Sequence, residues 1–98
     1  MPIASYDKYP EFKEAYELMR TVELRGSNEL RYRLEVFRCY SNDDTPFTVR
    51  AFVGQPVASQ IVWSDLSAYP FVSGETPQAA LHEGMRALAS IIAGSKAS

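Results

Sequence analysis

The run Gly74-Glu75-Thr76-Pro77-Gln78-Ala79-Ala80-Leu81 constrains the fold more than any other part of this chain. A threonine oxygen just before a helix can accept one of the backbone N–H groups that the first turn leaves unpaired, and proline suits the first helical position because its missing N–H is not needed there. The run therefore predicts a helix starting at Pro77 and capped by Thr76. Beyond it, Leu81, Met85, Leu88 and Ile92 recur at spacings of four, three and four, the period of one helix face. Ala80, Gly84 and Ala87 flank that stripe and permit close approach to a sheet or another helix, while His82, Glu83, Arg86 and Ser90 are left for the outer side. Apolar and small residues together cover roughly 200° of the surface at ~100° per residue, more than one packed face requires, so a second contact is expected. Gly94 is expected to end the helix and residues 95–98 to fray.

Upstream the period changes to two. Leu30, Tyr32, Leu34 and Val36 alternate with Arg31, Arg33 and Glu35, and after the polar run 41–46 the alternation resumes over Phe47–Val53. Two strands separated by turn-forming residues predict an antiparallel hairpin. Gly54-Gln55-Pro56 interrupts the pattern, and a third strand is expected over Val57–Ser64, with Val57, Ile61 and Trp63 facing one way. Tyr69-Pro70-Phe71-Val72 reads either as a short edge strand or as an ordered loop with its aromatics on the core, since Pro70 does not suit a central strand.

At the amino-terminal end, Tyr9, Phe12, Ala15, Tyr16, Met19 and Val22 recur at helical spacings between Asp7 and Leu24, opposite Lys13, Glu14, Glu17 and Thr21. This predicts an amphipathic helix, capped by Ser5 or Asp7, with Pro10 in its first turn and Gly26 as its stop. The expected fold is thus a single α+β domain over residues 1–98, flexible at 1–6 and 95–98. Two helices lie on one face of an antiparallel sheet of three strands, or four if the 69–72 segment pairs, in the order α-β-β-β-α. That layout resembles the topology of double-stranded-RNA-binding domains. The resemblance does not extend to function, because the lysines with which that family meets phosphates at the start of its second helix have no counterparts in Thr76-Pro77-Gln78-Ala79-Ala80-Leu81. The Gly-x-Thr-x-x-x-Ala-Leu run at 74–81 is also similar, over about eight residues, to the helix entry of HicB-type antitoxins, which implies partner binding.

Length and charge narrow the function classes. A chain of 98 residues with 46% hydrophobic content forms one core, and a net charge of −2 supplies no overall field for nucleic acid or an anionic membrane. No stretch approaches the ~18 apolar residues of a membrane span, and the start lacks the basic and apolar regions of a secretory signal. Cys39 is the single cysteine, so internal disulfides and Cys/His zinc patterns are excluded, and a cytoplasmic protein without cofactor or metal is the simplest expectation. Charge is uneven: residues 1–50 carry 8 Lys/Arg and 9 Asp/Glu, residues 51–98 only 2 and 3. The second half is either covered by a partner or surfaced by Ser, Gln and Ala.

Four residues are the candidate binding site. Arg33 and Phe37 from one strand, and Arg50 and Phe52 from the next, fall on the sheet face that the expected helices leave open. Arginine with aromatics is the composition that protein interfaces favour, and the reading is a non-catalytic protein-binding or regulatory module, its partner another protein or a second copy of the chain. The alternative is a single-stranded nucleic-acid platform, with the rings stacking bases and the arginines holding phosphate. The plainer reading pairs Phe37 with Phe52 across the strands under a loop. His82 is adjacent to Glu83 and about 100° from it around the helix, so the two do not form an acid–base pair readily. Cys39 has no base assigned to it and reads as a half-buried strand residue; Trp63 and Tyr69 read as core. The glycines 26, 54, 74, 84 and 94 are scattered and form no phosphate loop.

Overall fold

The computed structural model describes residues 8–12, 14–40 and 45–97. The segments expected to cap an amino-terminal helix, the residue Lys13 on its outer side and most of the polar loop at 41–46 lie outside them. Five strands and one helix follow in order: β1 Tyr16–Arg25, β2 Arg31–Cys39, β3 Phe47–Val57, β4 Gln60–Asp65, β5 Val72–Gly74 and α1 Pro77–Ala97. The α-β-β-β-α order is therefore incorrect. Among the described residues there is one helix, on one face of a five-stranded antiparallel sheet, and the resemblance to double-stranded-RNA-binding topology falls with it.

The error sits in β1. Residues 16–25 form a strand paired with β2 from Tyr16 opposite Cys39 to Arg25 opposite Arg31, with a bulge between Leu18 and Arg20. One extra residue in a strand reverses which side later residues face. Leu18 lies opposite Phe37 on one face, while Val22 and Leu24 lie opposite Leu34 and Tyr32 on the other. Two short alternating runs joined out of phase at Met19 reproduce the three-and-four spacing of a helix. Gly26 is accordingly a turn residue and not a helix stop: its N–H donates to the Leu30 carbonyl at 2.8 Å, and Glu29 adopts φ 72° within the turn.

The expected hairpin of β2 and β3 is present, with Arg33 opposite Phe52, Glu35 opposite Arg50 and Phe37 opposite Thr48. β3 runs through Gly54-Gln55-Pro56 where an interruption was expected. Its pairing with β2 ends at Gly54, so Pro56 stands where no β2 neighbour requires its N–H. β4 takes the place of the expected third strand but starts at Gln60, after a two-residue turn in which Ala58 takes φ 57°; Val57, expected to face the same way as Ile61 and Trp63, instead ends β3 opposite Gln60 and lies on the other face. β5 is short and pairs with the beginning of β3, Val72 opposite Val49, so β4 and β5 share one edge of that long strand.

α1 begins as the sequence predicts: the Ala79 N–H donates to the Thr76 hydroxyl at 3.0 Å, and the Ala80 N–H to the Thr76 carbonyl at 3.0 Å. It continues through Gly94 to Ala97. The core lies between this helix and the sheet, where Leu34 and Val36 are fully buried with Val49, Ala51, Phe47, Val72, Ala80 and Leu88 around them. Tyr69 packs against that core and donates its hydroxyl to the Gly84 carbonyl at 2.9 Å; burial pushes its pKa up to about 12. The charge-poor carboxy-terminal half exposes small and polar residues, among them Ser59, Gln60, Ser64, Ser67, Gln78 and Ser90, together with the apolar Val57, Val62, Phe71 and Met85. Among the described residues no helix is long and apolar enough to cross a membrane.

Candidate protein-binding face

The sheet register places all four candidate residues on the face opposite α1. Odd-numbered residues of β2 between 31 and 37 pair with even-numbered residues of β3, so Arg33, Phe37, Arg50 and Phe52 point to the same side. Arg33 and Phe52 are direct cross-strand neighbours, whereas Phe37 stands four positions from Arg33 along β2, about 13 Å at the rise of a strand. Phe37 and Phe52 therefore do not pair across the hairpin, and no described element covers them.

Three residues not assigned to this face from sequence complete it. Trp63 lies opposite Gly54, and a Cβ built on Gly54 would stand 2.8 Å from the Trp63 ring and 2.8 Å from Ile61. The missing side chain lets the indole lie across the strand, where the Arg33 guanidinium stacks 4.3 Å from its centroid. Trp63 is thus part of the open face rather than core. Tyr16 and Leu18 arrive from β1 through the bulge and remain 54% and 51% exposed, close to the sheet's aromatic row. Alternation within Phe47–Val53 and 31–37 was enough to find the first four residues. The bulge hides Tyr16 and Leu18, and the expected strand over 57–64 carries the signal for Trp63, since it sets Trp63 in phase with Ile61.

Tyr16, Phe37, Thr48 and Arg50 line an open cleft of about 330 Å³. The Tyr16 hydroxyl donates to Glu14 at 2.8 Å, and this bond, with the nearby Cys39, pushes its pKa up to about 12. The two arginines differ. Arg33 is held between Trp63 and Glu23, 3.8 Å away, with its side chain 29% exposed, whereas Arg50 is 61% exposed and has Asp65 only at 3.9 Å, its guanidinium 5.8 Å from the Phe52 centroid. Arg33 is a fixed part of the surface and Arg50 is available to an incoming group.

The face carries both signs of charge. Glu23 neighbours Arg33, Glu35 lies opposite Arg50, and Asp65 lies opposite Phe52. His82 is exposed on α1, across the sheet from Cys39, which is buried at the end of β2 on the open-face side. The two groups that invited a catalytic reading do not converge, and no group of three or more His, Cys, Asp or Glu placed to hold a metal ion occurs among the described residues.

The fold and face define a small antiparallel sheet backed by one helix, with an aromatic and arginine surface on its free side. Comparison with protein-family models, curated proteins and solved structures found no match.

Proposed function

We propose that this protein is a non-catalytic binding module whose open sheet face receives a protein partner. The carrying observation is the cleft of Tyr16, Phe37, Thr48 and Arg50, with Arg50 exposed at its edge and aromatic surface continuing through Phe52 to Trp63. Such a cleft takes one apolar side chain, and Arg50 favours a carboxylate beside it. The partner chemistry is therefore a chain segment presenting an aliphatic or aromatic residue next to Asp or Glu.

The acidic groups support a protein over a nucleic-acid partner. A phosphate backbone meeting this surface would approach Glu23, Glu35 and Asp65 together with the arginines, and Arg33 and Arg50 each have one of these carboxylates within 4 Å.

Panning displayed dodecapeptides against the full chain, then titrating enriched peptides into isotope-labelled protein, tests this reading. Peptides pairing an apolar residue with a carboxylate are expected to shift the amides of Phe37, Thr48 and Arg50, and Arg50→Glu, folded by circular dichroism, is expected to lose them. Enriched peptides that bind Arg50→Glu and Phe37→Ala as well as the native protein would refute it. A larger, salt-sensitive response of the same amides to a fifteen-residue oligothymidylate would transfer the face to nucleic acid.

A further inference from the structure

The longest unpaired sheet edge among the described residues belongs to β1, and we infer that two copies of this chain pair through it. β1 has ten residues, against six in β4 and three in β5, and its outer side meets no other strand. The Gly26 N–H donating to the Leu30 carbonyl makes 26 and 30 a hydrogen-bonded pair, and such pairs alternate along an antiparallel ladder. The backbone groups of Val22 and Leu24 are then directed at β2, and those of Thr21 and Glu23 outward.

Register selects a second copy as the occupant. Around a two-fold axis at Val22, Thr21 meets the partner's Glu23, and Glu23 meets the partner's Thr21. These are the outward-facing positions, so the two pairs exchange four backbone hydrogen bonds. Val22 lies against the partner's Val22, and the ladder spans 20–24, from the bulge to the turn. Moving the axis by one residue toward the turn sets Glu23 against the partner's Glu23. Moving it the other way brings Glu23 onto the bulged Met19. Only the central register avoids both.

The helix side of β1 fits the same arrangement. α1 packs over β2, β3 and β5 and leaves a trough of about 380 Å³ beside β1, with Leu24, Met85, Ala89 and Ile92 on its walls. The central register puts the partner's Arg20 opposite Leu24, where its aliphatic stem can lie along the rim with the guanidinium in water. The two-fold axis runs perpendicular to the sheet, so both helices share one side and both open faces join on the other. This pairing does not depend on what the open face binds.

Sedimentation of the full chain between about 1 and 500 μM tests it, using substitutions at the exposed Thr21 that leave the β1–β2 bonds in place. Thr21→Glu opposes the partner's Glu23 twice and is expected to weaken dimerisation about three- to tenfold; Thr21→Lys is expected to strengthen it by a similar factor. Val22→Cys is expected to yield a disulfide-linked dimer on a non-reducing gel, because Val22 sits on the axis. A native chain that stays monomeric at 500 μM would overturn the inference. So would a dimer that ignores both Thr21 variants, and one that instead dissociates on Phe37→Ala or Phe52→Ala would place self-association on the open face.

Discussion

Three glycines in the carboxy-terminal third make an internally controlled test of how α1 is held on the sheet. A Cβ at Gly94 would meet nothing within 4 Å. Alanine there keeps only its helix-propensity advantage, up to about 1 kcal/mol in a helix interior and roughly half that near the end. At Gly84 the same advantage is opposed by contacts of 2.8 Å to the Tyr69 hydroxyl and 3.0 Å to Val49 Cγ1. These are side-chain atoms that can yield partly, so an overpacking cost of about 1–3 kcal/mol leaves a net loss near 1 kcal/mol. At Gly74 the new atom would lie 2.6 Å from the Ala80 backbone nitrogen and 2.9 Å from its Cα. Backbone cannot rotate away, and relief requires the first turn of α1 to lift from β5, for a loss of about 2 kcal/mol or more. At 4–8 °C per kcal/mol for a domain this size, Gly94→Ala is expected to raise Tm by roughly 2–4 °C, Gly84→Ala to lower it by about 5 °C and Gly74→Ala by 10 °C or more. Thermal and urea unfolding followed by far-ultraviolet circular dichroism measure all three. A Gly74→Ala protein as stable as the native one would refute the close packing of β5 on α1, and a Gly84→Ala protein stabilised like Gly94→Ala would refute the approach of α1 to Tyr69 and Val49.

Other expectations follow from single interactions. Ala58→Gly relieves a left-handed residue at the β3–β4 turn, φ 57°, and should stabilise the protein by about 1 kcal/mol in urea unfolding; a loss would mean the turn favours the alanine methyl. Arg33→Ala removes the guanidinium stacked on Trp63, so the indole emission should move to longer wavelength with a stability loss of about 0.5–1 kcal/mol, while unchanged emission would deny the stack. The Tyr69 pKa is raised from 10.0 to about 12, so the folded state holds this proton more tightly than the unfolded state. Its contribution is complete below pH 10 and lost as pH climbs from 10 towards 12. The full shift would correspond to about 2.7 kcal/mol, which partial exposure reduces to roughly 1 kcal/mol. Native protein should lose that much more stability than Tyr69→Phe across this window, and equal losses would remove the assignment.

How much of this fold can be read from sequence depends on whether local pattern and final structure agree. They agree at Thr76-Pro77, where capping is a local bond, and along β2 and β3, where one face is buried and alternation is enforced by the core. They disagree from Tyr16 to Leu24 because the bulge at Met19 changes the phase of a two-residue period, and the two phases joined together imitate a helical one. Thr21-Val22-Glu23-Leu24-Arg25 keeps a clean alternation by itself and points to a strand in that shorter window. β3 outruns the break expected at Gly54-Gln55-Pro56 for a related reason: glycine and proline commonly break strands, yet here each satisfies a need of the strand. Gly54 makes room for Trp63, and Pro56 stands where β2 has already ended.

The candidate face divides along the same line. Arg33, Phe37, Arg50 and Phe52 follow from alternation in a hairpin, which by itself sets their common side. Trp63 and Tyr16 do not, because each reaches the face through a missing atom or an inserted residue rather than through a pattern of types. Those two features also give the face its character. Without the glycine, Arg33 would lose the indole that fixes it; without the bulge, Tyr16 and Leu18 would turn toward the helix side and the cleft beside Arg50 would lose a wall. The local irregularities that defeat sequence reading here are therefore the ones that convert an ordinary amphipathic sheet into a surface with a shaped depression and one exposed arginine beside it.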